Sequence, residues 1–187
     1  MQQITQAFIV LGMPRTGTSL AMGLLSKMGI FTGESRKGKN NPEYFENQLL
    51  FDFINHKDHV SAEQVILSLS EGHKKWGMKQ PNIVNRWEEL KPLIDNPHFV
   101  ITHRKDLKAQ FRSHQKAIRN QSWYSFQQRQ IEYYTSVKRI AAGHPEIHFN
   151  YEDWMTDKKA LQRLADFAGV SVTQEAKDFI NPSLKHF

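Results

Sequence analysis

The chain has 187 residues, of which 39% are hydrophobic and 24% charged, with a formal net charge of +6 and a pI near 9.5. This composition predicts a single soluble globular domain, 1–187, with no apolar run near the ~20 residues that cross a bilayer. The absence of cysteine excludes disulfides, thiolate metal sites and cysteine nucleophiles and fits a cytoplasmic setting, while the surplus of basic residues points to an anionic partner.

In chain order, Ala7-Phe8-Ile9-Val10-Leu11 reads as a buried strand. Gly12-Met13-Pro14-Arg15-Thr16-Gly17-Thr18-Ser19 follows, and apolar Leu20, Met22, Leu24, Leu25 and Met28 predict a helix over 19–28. Strand, glycine-bounded turn and helix N-terminus together form an anion site, because free backbone N–H groups and the positive end of the helix dipole converge there. The spacing is that of the nucleotide-triphosphatase loop G-x-x-x-x-G-K-[ST], with Thr18 in place of the lysine. A triphosphate there lacks the cation that reaches its β and γ groups, whereas Arg15 can make a bidentate contact to a nearer phosphate or sulfonate. Residues 32–41, rich in Gly, Ser, Lys and Asn, read as a lid or surface loop, and 56–70 shows no clear period.

A short strand at Trp76-Gly77-Met78 ends in Lys79, followed by Gln80-Pro81. A lysine at a strand end beside an anion loop can neutralise charge developing on a leaving oxygen. Further helical patterns cover 83–94, 107–118, 123–142 and 158–168, and strands are expected at 98–102 and 147–150. Strands alternating with longer helices predict an α/β fold of three layers, a mostly parallel sheet with helices on both faces. Ligands of such sheets sit beyond the C-terminal strand ends, where the first loop, Lys79 and Arg104 would gather. The nine histidines show no metal spacing, so no metal site is expected. The aromatic and basic residues of 119–139 read as core and covering surface, and no nucleic-acid motif accompanies them.

The loop Gly12-Met13-Pro14-Arg15-Thr16-Gly17-Thr18-Ser19-Leu20 resembles the 5′-phosphosulfate loop of the sulfotransferases that use 3′-phosphoadenosine 5′-phosphosulfate (PAPS). Further similarities to their bacterial branch follow in order: Asn41-Pro42-Glu43-Tyr44-Phe45-Glu46, Trp76-Gly77-Met78-Lys79-Gln80-Pro81, 99–104, Tyr151-Glu152-Asp153-Trp154 and Asn181-Pro182-Ser183-Leu184. The resemblance runs over 8–184 and implies the P-loop sulfotransferase fold, with Arg15 and the N–H groups of Thr16, Gly17, Thr18 and Ser19 on the 5′-phosphosulfate and the hydroxyls of Thr18 and Ser19 adding contacts. Lys79 would assist the leaving phosphate, although Lys-Gln-Pro-Asn stands where relatives commonly carry Lys-Asp-Pro-Arg. Arg104 would bind the 3′-phosphate together with a serine two turns on, a register that falls on Arg112 with Ser113 one residue later. Tyr151 stands where relatives contact the adenine or its sugar.

Sulfonate transfer to an alcohol needs a group to accept the hydroxyl proton. By resemblance the candidates are Glu46, then Glu34, then Glu43. The sequence thus predicts transfer of a sulfonate from PAPS, leaving 3′-phosphoadenosine 5′-phosphate (PAP), to a hydroxyl or amine of a small-molecule or glycan acceptor. A P-loop kinase or NTPase and a noncatalytic nucleotide-binding descendant are the alternatives.

Overall fold

The computed structural model describes residues 5–34, 45–55, 59–116 and 121–180. Four strands, β1 (Gln6–Leu11), β2 (Lys75–Lys79), β3 (Pro97–His103) and β4 (Glu146–Asn150), form one parallel sheet in the order β2-β1-β3-β4. The apolar run of β1 suits a strand covered on both faces. Successive side chains of β1 enter different cores. Ala7, Ile9 and Leu11 join one cluster with Leu50, Phe53, Val65, Trp87 and Val137, while Phe8 and Val10 join another with Leu24, Leu25, Leu164 and Ala176. The first face is covered by α2 (Gln48–Ile54), α3 (Ala62–Ser70), α4 (Trp87–Leu90) and α6 (Trp123–Ala141). The second is covered by α1 (Thr18–Lys27), α8 (Ala160–Ala168) and α9 (Gln174–Phe179). Helix α5 (Leu107–Gln115) leads out of β3 and the single turn α7 (Asp153–Thr156) out of β4. The three-layer α/β fold expected from the sequence is the one observed.

Two local expectations change. The continuous helix expected over 83–94 is instead a 3₁₀ turn Pro81–Asn85, the single turn α4 and a second 3₁₀ turn Lys91–Leu93. Pro81 and Pro92 each begin a new turn and cannot sit in a helix interior. The aperiodic stretch 56–70 contains α3, whose start is fixed by a capping box between Ser61 and Gln64. The loop expected at 32–41 lies outside the described residues from 35 onward.

β1 lies between β2 and β3, and Val10 pairs with Lys79 while Leu11 pairs with Ile101. The loop after β1, the end of β2 and the exit of β3 toward Arg104 therefore open on one edge of the sheet. This is the crevice where ligands of open parallel sheets bind.

Candidate active site

The loop joining β1 to α1 is held in an unusual backbone path. Gly17, the residue before α1, has φ 92°, and Arg15 has φ 73°, a conformation that disfavours side-chain-bearing residues. At Gly12 a Cβ would lie 2.1 Å from Thr102 Oγ1 and 2.5 Å from Thr16 Oγ1, so only glycine fits between β1 and β3 there. No side chain caps α1, and no hydrogen bond within the described residues engages the N–H groups of Gly17, Thr18 and Ser19. These unengaged donors at a helix N-terminus define an anion cradle.

Thr16 differs from its expected place in that cradle. Its N–H reaches the Met13 carbonyl at 3.3 Å, and its hydroxyl donates to the same carbonyl at 2.7 Å and meets Thr102 Oγ1 at 2.8 Å. The side chain is fully buried and closes the turn from beneath, which leaves the cradle to begin at Gly17.

Lys79 sits at the end of β2 with 2% of its surface exposed. Its ammonium donates to Ser19 Oγ at 3.0 Å and to Glu46 Oε1 at 2.8 Å. Removing a lysine from water is costly without an anion and further acceptors, and the pair with Glu46 and the bond to Ser19 both offset that cost. Glu46 is placed by both of its neighbours. Phe45, at φ 51°, is buried against the ring of Phe179, and Asn47 caps α2 through Leu50 N–H at 2.9 Å. No bond within the described residues engages the second carboxylate oxygen. Glu34 is exposed and forms no ion pair with Lys79, and Glu43 lies outside the described residues.

Arg104 follows β3. Its Nη1 donates to the Arg15 carbonyl at 3.1 Å, its guanidinium lies 4.8 Å over the Tyr151 ring, and its Nε is buried with no hydrogen-bond partner. Glu152 stands 3.9 Å from that Nε, too far to satisfy it. Tyr151 itself packs on the loop, since a Cβ at Gly17 would meet its ring at 3.0 Å. Arg15 Nε donates to Ser113 Oγ at 2.7 Å, which brings Ser113 to the loop, whereas Arg112 is exposed on α5.

Sequence reasoning missed a supporting layer on α5 and α6. Tyr133 Oη accepts from Gly12 N–H at 2.9 Å, Tyr134 Oη donates to the Thr102 carbonyl at 2.7 Å, and Gln110 Nε2 donates to the Pro14 carbonyl at 3.0 Å. Burial raises the Tyr133 phenol well above the usual range and pushes Tyr134 up to about 12, so both stay protonated near neutrality. Only their aromatic spacing on a helix was readable, and that signals packing. A cavity of about 730 Å³ opens beside this layer, bounded in part by Met13, Glu46, Gln80, His114 and Tyr133. His114 is buried, and its pKa is lowered by burial, then by Arg129 and Arg15, which favours the neutral ring. Among the described residues no cluster of three His, Asp or Glu side chains could hold a metal ion, and no helix is long and apolar enough to cross a membrane.

A parallel sheet with helices on both faces thus carries an uncapped anion loop at the end of the inner strand β1. Compared with solved structures, the chain has the fold of the sulfotransferases. It superposes on sulfotransferase STF1 from Mycobacterium tuberculosis H37Rv with a TM-score of 0.54 at 16% identity, over 96% of this chain and 72% of that one. Against sulfotransferase STF9 from Mycobacterium avium the TM-score is 0.50 at 16% identity, over 98% of this chain and 68% of that one. Retinol dehydratase, solved with androsterone and inactive cofactor PAP, matches with a TM-score of 0.52 at 12% identity, over 94% of this chain and 64% of its own. No family model matches the sequence, and no curated protein matches it by sequence.

Proposed function

We propose that the chain is a PAPS-dependent sulfotransferase acting on a hydroxyl or amine of a small-molecule or glycan acceptor. The observation that carries the reading is Lys79, a buried ammonium held at once by Ser19 of the anion loop and by Glu46. The residues present fit the donor. Unengaged N–H groups at Gly17 to Ser19 and the nearby Arg15 suit the 5′-phosphosulfate, the orphaned Nε of Arg104 together with Ser113 suits the 3′-phosphate, and Tyr151 suits the nucleoside. When bound, PAPS supplies a sulfonate already activated by its bond to phosphate.

The chain's own groups do the rest. The cradle and Arg15 bind and orient the anion through charge-assisted bonds. Lys79, pre-positioned with little water around it, supplies positive charge where a leaving phosphate gains negative charge. Glu46 holds Lys79 with one oxygen and lines the cavity, and its second oxygen takes the proton of the acceptor group. Arg112, exposed on α5, has no part in this scheme, and Thr16 contributes by closing the turn. The cysteine-free composition suits a cytoplasmic enzyme, which belongs to the same proposal.

A thermal-shift comparison tests the donor. PAP at about 100 times its dissociation constant adds about 2.7 kcal/mol of stability. AMP, without the 3′-phosphate, is expected to shift melting far less. Strong magnesium-dependent ATP binding with no response to PAP would overturn the reading in favour of a kinase.

A further inference from the structure

The cavity beside Glu46 carries a pattern that the donor site does not use. The 3₁₀ turn Pro81–Asn85 packs against α6. Side chains three apart eclipse in a 3₁₀ turn, so Asn82 and Asn85 project from one side. On α6, Arg129, Glu132 and Ser136 follow one another at helical spacing along one stripe. All five line the cavity, and among the described residues none of these side chains has a hydrogen bond or ion-pair partner. Amide, guanidinium and carboxylate groups each bond two neighbouring atoms at once, which matches adjacent hydroxyls on a ring. Arg129 offsets Glu132 in the lining, and Glu46 is already paired with Lys79, which is not itself a lining residue, so these charged groups favour a neutral ligand over a polyanion. Phe51 and Tyr133 line the same space and add aromatic surface to it. The volume of about 730 Å³ lies within the ordinary range for small-ligand sites, but this lining is far more polar than most.

We propose that the cavity takes a neutral polyhydroxylated acceptor, a mono- or disaccharide, and discriminates against flat apolar alcohols. The inference rests on the sulfotransferase reading above. A wall that hydrogen-bonds hydroxyls favours a ligand carrying them over an analogue lacking them, which gains none of those bonds and leaves the exposed polar groups to water.

The test has two arms on the full chain. Calorimetry with PAP comes first, and failure of PAP to bind would overturn the sulfotransferase reading and this inference with it. With PAP bound, methyl glucoside, cellobiose and N,N′-diacetylchitobiose are titrated, then offered with radiolabelled PAPS in parallel with 2-naphthol. Binding of at least one sugar, with kcat/KM at least tenfold above that of 2-naphthol, is the expected result. Arg129→Ala and Asn82→Ala should each weaken that sugar tenfold or more while leaving PAP affinity unchanged. Binding of PAP with no sugar bound at millimolar concentration, or preferential transfer to 2-naphthol, would overturn the acceptor class and leave the donor reading standing. Sugar affinity insensitive to both substitutions would also overturn it.

Discussion

Around the loop after β1, polar side chains are engaged by the rest of the protein: Tyr133 with Gly12, Gln110 with Pro14, Thr16 with Thr102, Ser113 with Arg15. Along the cavity, by contrast, Asn82, Asn85, Arg129, Glu132 and Ser136 have no partner among the described residues. The first region is preorganised, so a ligand there meets donors whose ordering was completed by folding. The second leaves polar groups for whatever enters. Rigidity on one side and unpaired groups on the other suit the fixed donor and separately chosen acceptor of the proposed transfer.

The largest expected effect comes from breaking the engaged side at its most buried charge. Lys79→Ala leaves Glu46 facing Ser19 without its cation, and loss of one partner of a buried pair costs about 3–5 kcal/mol. Urea unfolding should show this loss, and a Lys79→Met, Glu46→Gln double variant should recover part of it. A Lys79→Ala protein as stable as the parent would show that the pair contributes nothing. Next is Glu46→Gln, which keeps shape but cannot take a proton. Turnover with PAPS should fall on the order of 10²- to 10⁴-fold with PAP affinity near the parent value. Undiminished transfer would remove Glu46 as the base.

A smaller contrast separates two adjacent residues of α5. Ser113→Ala removes the bond to Arg15 and should cost about 1 kcal/mol, in stability or in PAP affinity. Arg112→Ala should change either by less than about 0.5 kcal/mol, as exposed substitutions usually do. Equal effects would erase the distinction between the engaged and exposed faces of that helix. Smallest is the pH dependence. Burial lowers the pKa of His103 and of His114, with repulsion from His148 adding at the first and from Arg129 and Arg15 at the second. Below about pH 6.5 the unfolded chain therefore binds protons that the folded chain resists, and stability falls as pH drops from there. The urea midpoint should decline between pH 7.5 and 5.5, less steeply in His103→Gln. A midpoint that rises on acidification would contradict both assignments.

Much of this was legible in the residues themselves. The apolar run 7–11, the glycines at 12 and 17 and the helical period after them announce a strand, an anion loop and a helix, because each signal is local. Lys79 and Glu46 were each readable as candidates, but their contact was not, since nothing in a linear chain says that the approach to α2 reaches the end of β2. The different surroundings of Arg112 and Ser113 are a matter of rotation. Asp106 caps α5 through Ala109 N–H, which fixes the helical phase, and one residue is a turn of about 100°. Ser113 consequently faces the loop and Arg112 faces water. Tyr133 and Gln110 carried no signal for their roles, because their partners lie at the other end of the chain. The capping box at Ser61 and Gln64 was present in the sequence, while 83–94 shows how Pro92 divides a stretch whose apolar spacing reads as one helix.

The sheet order has a kinetic consequence. β1 is made first but sits second, flanked by strands that begin at Lys75 and Pro97. A nascent or truncated chain ending before β2 holds the whole anion-loop sequence with neither neighbour to hydrogen-bond its strand. Parallel pairing over such separations requires closing long loops before any contact rewards it, which makes folding slow. The proposed donor site should therefore be silent in short fragments, and any nucleotide binding should report completion of the sheet through β3.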